Sequence, residues 1–256
     1  MNTTGIPFSE GSKFGPKSEC SVGNFFDRAS QQYDESIRKA IPPYREMLEA
    51  LLGYWIPAFE NQTPHILELG CGTGNLSIIL HQFFPHAELT LVDLSGDMLA
   101  QAKQKFLADD LLKKSQTMEP STHWLQSGFM DLNFASGTFD GIVSSMALHH
   151  LTDNEKPLLY QRCYQWLKPK GLFRCADETL AVPREVQAEN FIRWETWSRQ
   201  EGSSQADIDF WNQHAEEHDH YAALGQHFNW LAQSGFTHID CYWKKLLWSV
   251  FGATKP

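Results

Sequence analysis

An α/β fold built on a mostly parallel sheet is what this 256-residue chain predicts, and three observations carry the prediction. Short apolar runs alternate with amphipathic segments through the middle of the chain, the rhythm of strands joined by crossover helices. One run, His65-Ile66-Leu67-Glu68-Leu69, ends in the turn Gly70-Cys71-Gly72-Thr73-Gly74. A second, Leu89-Thr90-Leu91-Val92, ends in Asp93, nineteen residues beyond Gly74. Strand, glycine turn, helix, strand and acid together describe a unit built to hold a nucleoside.

The elements follow in order. Met1 to about residue 20 is polar, with Gly, Ser and Pro and no apolar core, and reads as a flexible tail, not a secretory signal. Gly23 to Ala40 reads as one helix, with Phe25, Phe26, Ala29, Tyr33 and Ile37 on one side. Pro42-Pro43 interrupts it, and Tyr44 to Ile56 forms a second, with Met47, Leu48, Leu51 and Leu52 inside. Strands are expected at Ile66–Leu69, Leu89–Val92, His123–Gln126, Gly141–Ser145 and Gly171–Ala176. Helices are expected at Asn75–Phe84, Gly96–Leu107 and Asn154–Leu167. Residues 178–235 are helical and rich in aromatics, including Phe191, Trp194, Trp197, Phe210 and Trp211. The chain closes with two further strands, Thr237–Trp243 and Leu246–Gly252. Residues 21–256 are thus one domain, in which the helices of 21–58 and the insertion of 178–235 cap the crevice as a lid.

Composition sets bounds. Hydrophobic residues are 42% and charged residues 20%, ordinary for a globular protein with a sizeable core. No apolar run approaches the ~18 residues that would span a bilayer. The net charge of −10 and the lack of a basic run argue against a nucleic-acid partner. Five scattered cysteines without a C-x-x-C pair imply neither a disulfide framework nor a zinc ribbon, and place the chain in the cytoplasm. The expected partners are a small-molecule substrate and, in self-association, a second copy in a homodimer. Neither a membrane nor a nucleic acid is expected.

The glycine turn narrows the nucleoside. A pyrophosphate-binding loop carries its third glycine one place later than Gly74, and would not favour an acid at Glu68. A ligand with an amine at one end and a ribose at the other suits both Glu68 and Asp93. S-adenosylmethionine (SAM) has that form, and S-adenosylhomocysteine (SAH) is what remains after it gives up its methyl group. The chain resembles the class I SAM-dependent methyltransferases of small-molecule type. Four segments match in order and spacing: Glu68–Gly74, Leu91–Met98, Phe139–Leu151 and Leu167–Phe173. The resemblance covers roughly residues 60–178. It implies a Rossmann-like, seven-stranded, mostly parallel sheet and methyl transfer to a small acceptor.

It also implies a site, residue by residue. Glu68 would hold the ammonium group; Gly70, Cys71, Gly72 and Gly74 would form the loop; Asp93 and Leu94 would take the ribose. Met98 lies either under the adenine or in the core. Gly128 stands where the family often has an adenine-binding Asp, so the expected contacts there are the backbones of Gly128 and Phe129, with Asp131 a candidate replacement acceptor. Ser145 and Met146 should flank the methionine portion, and Tyr33 should close over it. His149 and His150, at the end of the fourth strand, are the candidates for taking a proton from the acceptor, with His149 slightly favoured.

Two other readings compete. A carboxy-SAM synthase would need a base facing an extra carboxylate, for which Arg184, Arg193 and Arg199 are the available candidates. A non-catalytic SAM-binding protein would need no acceptor pocket. His214-Ala215-Glu216-Glu217-His218 spells the inverted zinc-hydrolase signature, but no third ligand is identifiable nearby, and no metal site is expected.

Overall fold

A computed structural model of the chain describes residues 19–53, 55, 58–59, 62–108 and 121–256. The expected N-terminal tail lies almost wholly outside the described residues, as does Ile56. Seven strands form one sheet in the order β3-β2-β1-β4-β5-β7-β6. They are β1 (His65–Leu69), β2 (Glu88–Asp93), β3 (Thr122–Gln126), β4 (Phe139–Ser145), β5 (Leu167–Glu178), β6 (Thr237–Lys245) and β7 (Trp248–Thr254). The first five are parallel neighbours, whereas β7 runs antiparallel to both β5 and β6. The strand order reverses between β1 and β4, which opens a crevice beyond their carboxyl ends.

Helices cover both faces, as the near-continuous apolar character of β1, β4 and β7 requires. On one face lie α3 (Tyr44–Gly53), α4 (Asn75–Phe83) and α5 (Gly96–Ala108), packed through Met47, Leu51, Leu76, Leu80 and Phe106. Trp55 packs against β4 at Gly141, where a Cβ would meet its ring at 2.6 Å. On the other face, Leu159, Tyr160 and Cys163 of α6 (Glu155–Trp166) pack beside Trp230 and Leu231. Each such fully buried apolar side chain contributes about 1.5–3 kcal/mol relative to exposure.

The remaining helices cap the crevice, and here the structure departs from the expected layout. The single helix read over Gly23–Ala40 is two, α1 (Glu19–Ala29) and α2 (Tyr33–Ala40), joined by a 3-10 turn at Ser30–Gln32. Ser30 Oγ donates to the Asp27 carbonyl at 3.1 Å, a back-bond that competes with the helical ladder at the break. The insertion also divides. Its first helices, α7 (Arg184–Gln200) and α8 (Gln205–His218), dock on α2: Trp194 Nε1 donates to the Ala40 carbonyl at 2.7 Å, and Trp211 Nε1 to Ser36 Oγ at 3.1 Å. Its last helix, α9 (Leu224–Gln233), instead joins α6 in the core on the far face of the sheet. Among the described residues, no helix is long and apolar enough to cross a membrane.

Candidate active site

A cavity of about 860 Å³ fills the crevice. Its floor is the turn between β1 and α4, where Gly70 and Gly74 adopt positive φ (74° and 84°). Gly70 must lack a side chain, because a Cβ would lie 2.3 Å from that of Ala147. The turn is tied to the next strand: the amides of Gly70 and Cys71 both donate to the Val92 carbonyl at 2.9 Å. Asp93 accepts from the amides of Gly72 at 2.7 Å and Ser95 at 2.9 Å, which fixes its carboxylate at the cavity wall. Burial raises the Asp93 pKa to about 6 against the pull of those amides.

Glu68 is 1% exposed and lines the cavity, with Ser77 Oγ donating to it at 2.6 Å. Burial pushes its carboxyl up to about 8, so the site holds an acid whose ionisation waits for a cation. Gly72 adds a cradle, since a Cβ there would meet nothing within 4 Å. A ligand with a ribose, an amine and an adenine fits these residues.

Tyr33, Glu68, Gly70, Cys71, Gly72, Asp93, Leu94, Met98, Gly128, Phe129, Ser145 and Met146 all line this cavity. Gly74 does not; its Cα hydrogen side faces Ala102, 3.2 Å from where a Cβ would stand, so its work is to let α4 approach α5. Asp131 is exposed and also lies off the cavity, so it does not supply the missing adenine acceptor. Met146 adopts φ 52°, a left-handed conformation held by its amide donating to the Ala176 carbonyl at 2.8 Å.

Several lining residues went unread in the sequence, among them Phe26, Tyr44, Thr73 and Ser127. Thr73 belongs to a polar clasp. Asp34 on α2 accepts from Thr73 Oγ1 at 2.6 Å and from Asn75 Nδ2 at 3.0 Å, and pairs with Lys105 of α5. Burial would raise the Asp34 pKa, but Lys105 and Thr73 hold it below its ordinary value. The clasp pins α2 over the glycine turn. A second link, Ser95 Oγ donating to Asp27 at 2.5 Å, pins α1 over the β2–α5 junction.

A second cavity of about 610 Å³ adjoins the first, the two sharing Phe26, Tyr33 and Met146 in their walls. Phe191, Trp194, Trp211 and Tyr221 line it, and its polar side is His149, His214, Glu178 and Asp219. No lysine or arginine lines either cavity among the described residues, and Arg184, Arg193 and Arg199 are all exposed.

The two adjacent histidines part company. His150 lines the first cavity, while His149 lines the second. His149 Nδ1 donates to Asp177 at 2.5 Å, and its Nε2 lies 3.7 Å from Asp219. Burial lowers the His149 pKa, yet Asp177 and Asp219 outweigh it and push it up to about 9. A protonated His149 has no lone pair to take a proton, which favours His150 over His149 as the candidate base. His150 shifts the other way, lowered by burial and by the charge on His149. The two histidines of the zinc-hydrolase signature share a face of α8, with ring centroids 5.0 Å apart. His214 and His218 are buried against Phe25, with ring centroids 4.1 and 5.7 Å away, and Glu217 binds Gln213 at 2.8 Å.

Residues 66–171 match the methyltransferase domain family. The chain is 26% identical over 235 residues to a demethylmenaquinone methyltransferase of Symbiobacterium thermophilum, covering 86% of each. It is 23% identical over 237 residues to a carboxy-S-adenosyl-L-methionine synthase of Helicobacter pylori, covering 90% of this chain and 93% of that one. In fold it is similar to the magnesium protoporphyrin IX methyltransferase of Synechocystis PCC 6803 with bound SAH, at a TM-score of 0.66 and 12% identity. That likeness covers 93% of this chain and 100% of the other.

Proposed function

Because the chain belongs to the class I SAM-dependent methyltransferases, we propose that it moves the methyl group to a small, planar acceptor that is neutral or cationic. The observation that carries this reading is the second cavity. Aromatic rings surround it, acids stand on its polar side, and no described lysine or arginine offers an anion a partner. A flat ring or a cation would find Trp211, Tyr221 and Phe26 there.

SAM is the methyl donor, and when bound its sulfonium supplies a methyl group whose leaving group is already cationic. The residues of the chain then have two tasks: to align the nucleophile about 3 Å from the methyl carbon and to exclude water. Phe26, Tyr33 and Met146 wall both cavities and would define the line of approach. Glu68 would hold the ammonium and Asp93 the ribose. His149 would stand at the polar end of the acceptor site, and His150 in the wall of the donor cavity beside it. A carboxy-SAM synthase activity is disfavoured by the exposure of Arg184, Arg193 and Arg199 and by the lack of a basic lining residue.

The test is a product assay. The protein is incubated with SAM and a set of aromatic acceptors, half of them carboxylated, and SAH and methylated product are measured by mass spectrometry. Neutral or cationic acceptors should be methylated, and Trp211→Ala should raise KM at least about tenfold while the SAM dissociation constant stays within about twofold. Preference for carboxylated acceptors, or an unchanged KM in Trp211→Ala, would refute the acceptor site.

A further inference from the structure

We propose that His149, His150 and Asp219 form a binding site for a divalent first-row transition-metal cation, with His214 as a fourth ligand. The inference goes beyond methyl transfer and does not depend on it. It rests on three imidazoles that two separate parts of the fold bring to one carboxylate oxygen. The 3-10 turn after β4 (Leu148–His150) supplies two imidazoles, α8 a third, and the residue that ends α8 the carboxylate.

The distances suit coordination. From Asp219 Oδ1, His150 Nδ1 lies at 2.9 Å, His214 Nε2 at 3.6 Å and His149 Nε2 at 3.7 Å. Ligand atoms about 2.0–2.1 Å from one metal ion stand about 2.9–3.4 Å apart at right-angle to tetrahedral spacing. His149 Nε2 and His214 Nε2 therefore stand only a few tenths of an ångström beyond that spacing from Asp219 Oδ1. Ligand atoms of His149, His150 and Asp219 already lie within 4.8 Å of one another.

Both ring nitrogens of His150 are buried, Nδ1 facing Asp219 and Nε2 without a hydrogen bond. A third feature completes the pattern. Asp177 lies behind His149 and accepts from its Nδ1, which leaves Nε2 directed towards Asp219. A carboxylate behind a ligating imidazole is the usual orienting arrangement in metal sites. Tyr221 OH donates to the other oxygen of Asp219 at 2.5 Å, so the carboxylate too is held from behind.

Two or three imidazole nitrogens and one carboxylate oxygen form a borderline donor set, suited to Zn²⁺, Fe²⁺ or Co²⁺ and not to Mg²⁺ or Ca²⁺. The site stands where the two cavities meet, His150 in one wall and His149, His214 and Asp219 in the other. A cation there would offer an oxygen-bearing acceptor an electrophilic anchor beside the methyl donor.

The experiment uses the full chain, freed of any affinity tag, stripped with a chelator and titrated with Co²⁺ and then Zn²⁺. One equivalent of Co²⁺ should bind and give visible d–d absorption with nitrogen-ligand signatures in its paramagnetic spectrum, and Zn²⁺ should displace it. Asp219→Asn and His214→Ala should each weaken binding, and Asp177→Asn, behind the ligand, should cost about 10–100-fold. His123→Ala, on β3 beside Glu88, should leave it unchanged. Uptake below about a tenth of an equivalent by the wild-type protein would overturn the site, whatever the variants do. So would binding that Asp219→Asn, His214→Ala and Asp177→Asn all leave intact. SAM affinity of the stripped protein, read by calorimetry, separates this outcome from failure of the methyltransferase reading.

Discussion

The two cavities meet at three side chains, yet they are built in opposite ways. The floor of the donor cavity is made by one stretch of chain folding on itself: β1, its glycine turn, β2 and the start of α5. Its contacts are short backbone hydrogen bonds such as Gly72 and Ser95 to Asp93. The acceptor cavity is assembled from distant pieces, with Trp194 reaching Ala40 across 154 residues and Trp211 reaching Ser36 across 175. The first is a scaffold with its chemistry in the backbone; the second is a set of side chains brought together by docking helices. That difference explains why one donor site can serve many acceptors: helices can be exchanged above a turn that stays the same.

The contrast can be tested at its strongest point first. Gly70→Ala places a Cβ 2.3 Å from that of Ala147 and forces an alanine into φ 74°. It should cost about 4 kcal/mol in a denaturant titration, the sum of overpacking and backbone strain. A loss below about 1 kcal/mol would show that the donor turn is not rigid.

Next in size is the pH response of Glu68. Its carboxyl ionises near pH 4.5 when unfolded and near 8 when folded, so the unfolded chain holds fewer protons between those values. Stability of the ligand-free protein should therefore fall as pH rises from 5 to 8. SAM binding should strengthen over the same range, by up to about tenfold per unit, because the ammonium pairs with the ionised form. Glu68→Gln should flatten the Glu68 part of both slopes, leaving the smaller contribution of Asp93, whose carboxyl titrates near 6. Calorimetry at three pH values decides it, and an affinity unchanged from pH 6 to 8 would remove Glu68 as the ammonium partner.

The smallest effect concerns the clasp between the two halves. Asp34→Ala leaves Lys105 and Thr73 without their shared acceptor and should cost about 1–2 kcal/mol, with a lower melting temperature. SAM affinity should fall severalfold, because α2 no longer rests on the turn. Loss of stability with unchanged affinity would show that the clasp serves only the fold.

Legibility in the sequence follows the same division. Glu68, Gly70, Gly72 and Asp93 could be placed from sequence because their spacing is local and their chemistry is set by a turn that admits few alternatives. Asp34, Asp177 and Asp219 could not, since each gains its role from a partner far away in sequence. Asp34 meets Thr73 across 39 residues, and Asp177 meets His149 across 28. One signal was available: Asp177 and Glu178 end β5, where strand ends face the crevice. The zinc-hydrolase signature shows how local spacing misses a distant partner. His214 proved to lie beside a metal-like cluster, yet with His149, His150 and Asp219 for company, and not with His218 and Glu217 as the helix spacing suggested. The break at Ser30–Gln32 escaped notice because no proline or glycine marks it.

Phe26 and Tyr33 stand in the walls of both cavities and sit on the two helices that the Asp27 and Asp34 contacts hold down. The same two helices therefore bound both chambers. If α1 and α2 must lift to admit the donor, the acceptor arrives last and the spent donor leaves last, giving a compulsory order of binding and release. The slow step of a catalytic cycle would in that case be the parting of a few polar contacts, not the passage of a methyl group between two atoms.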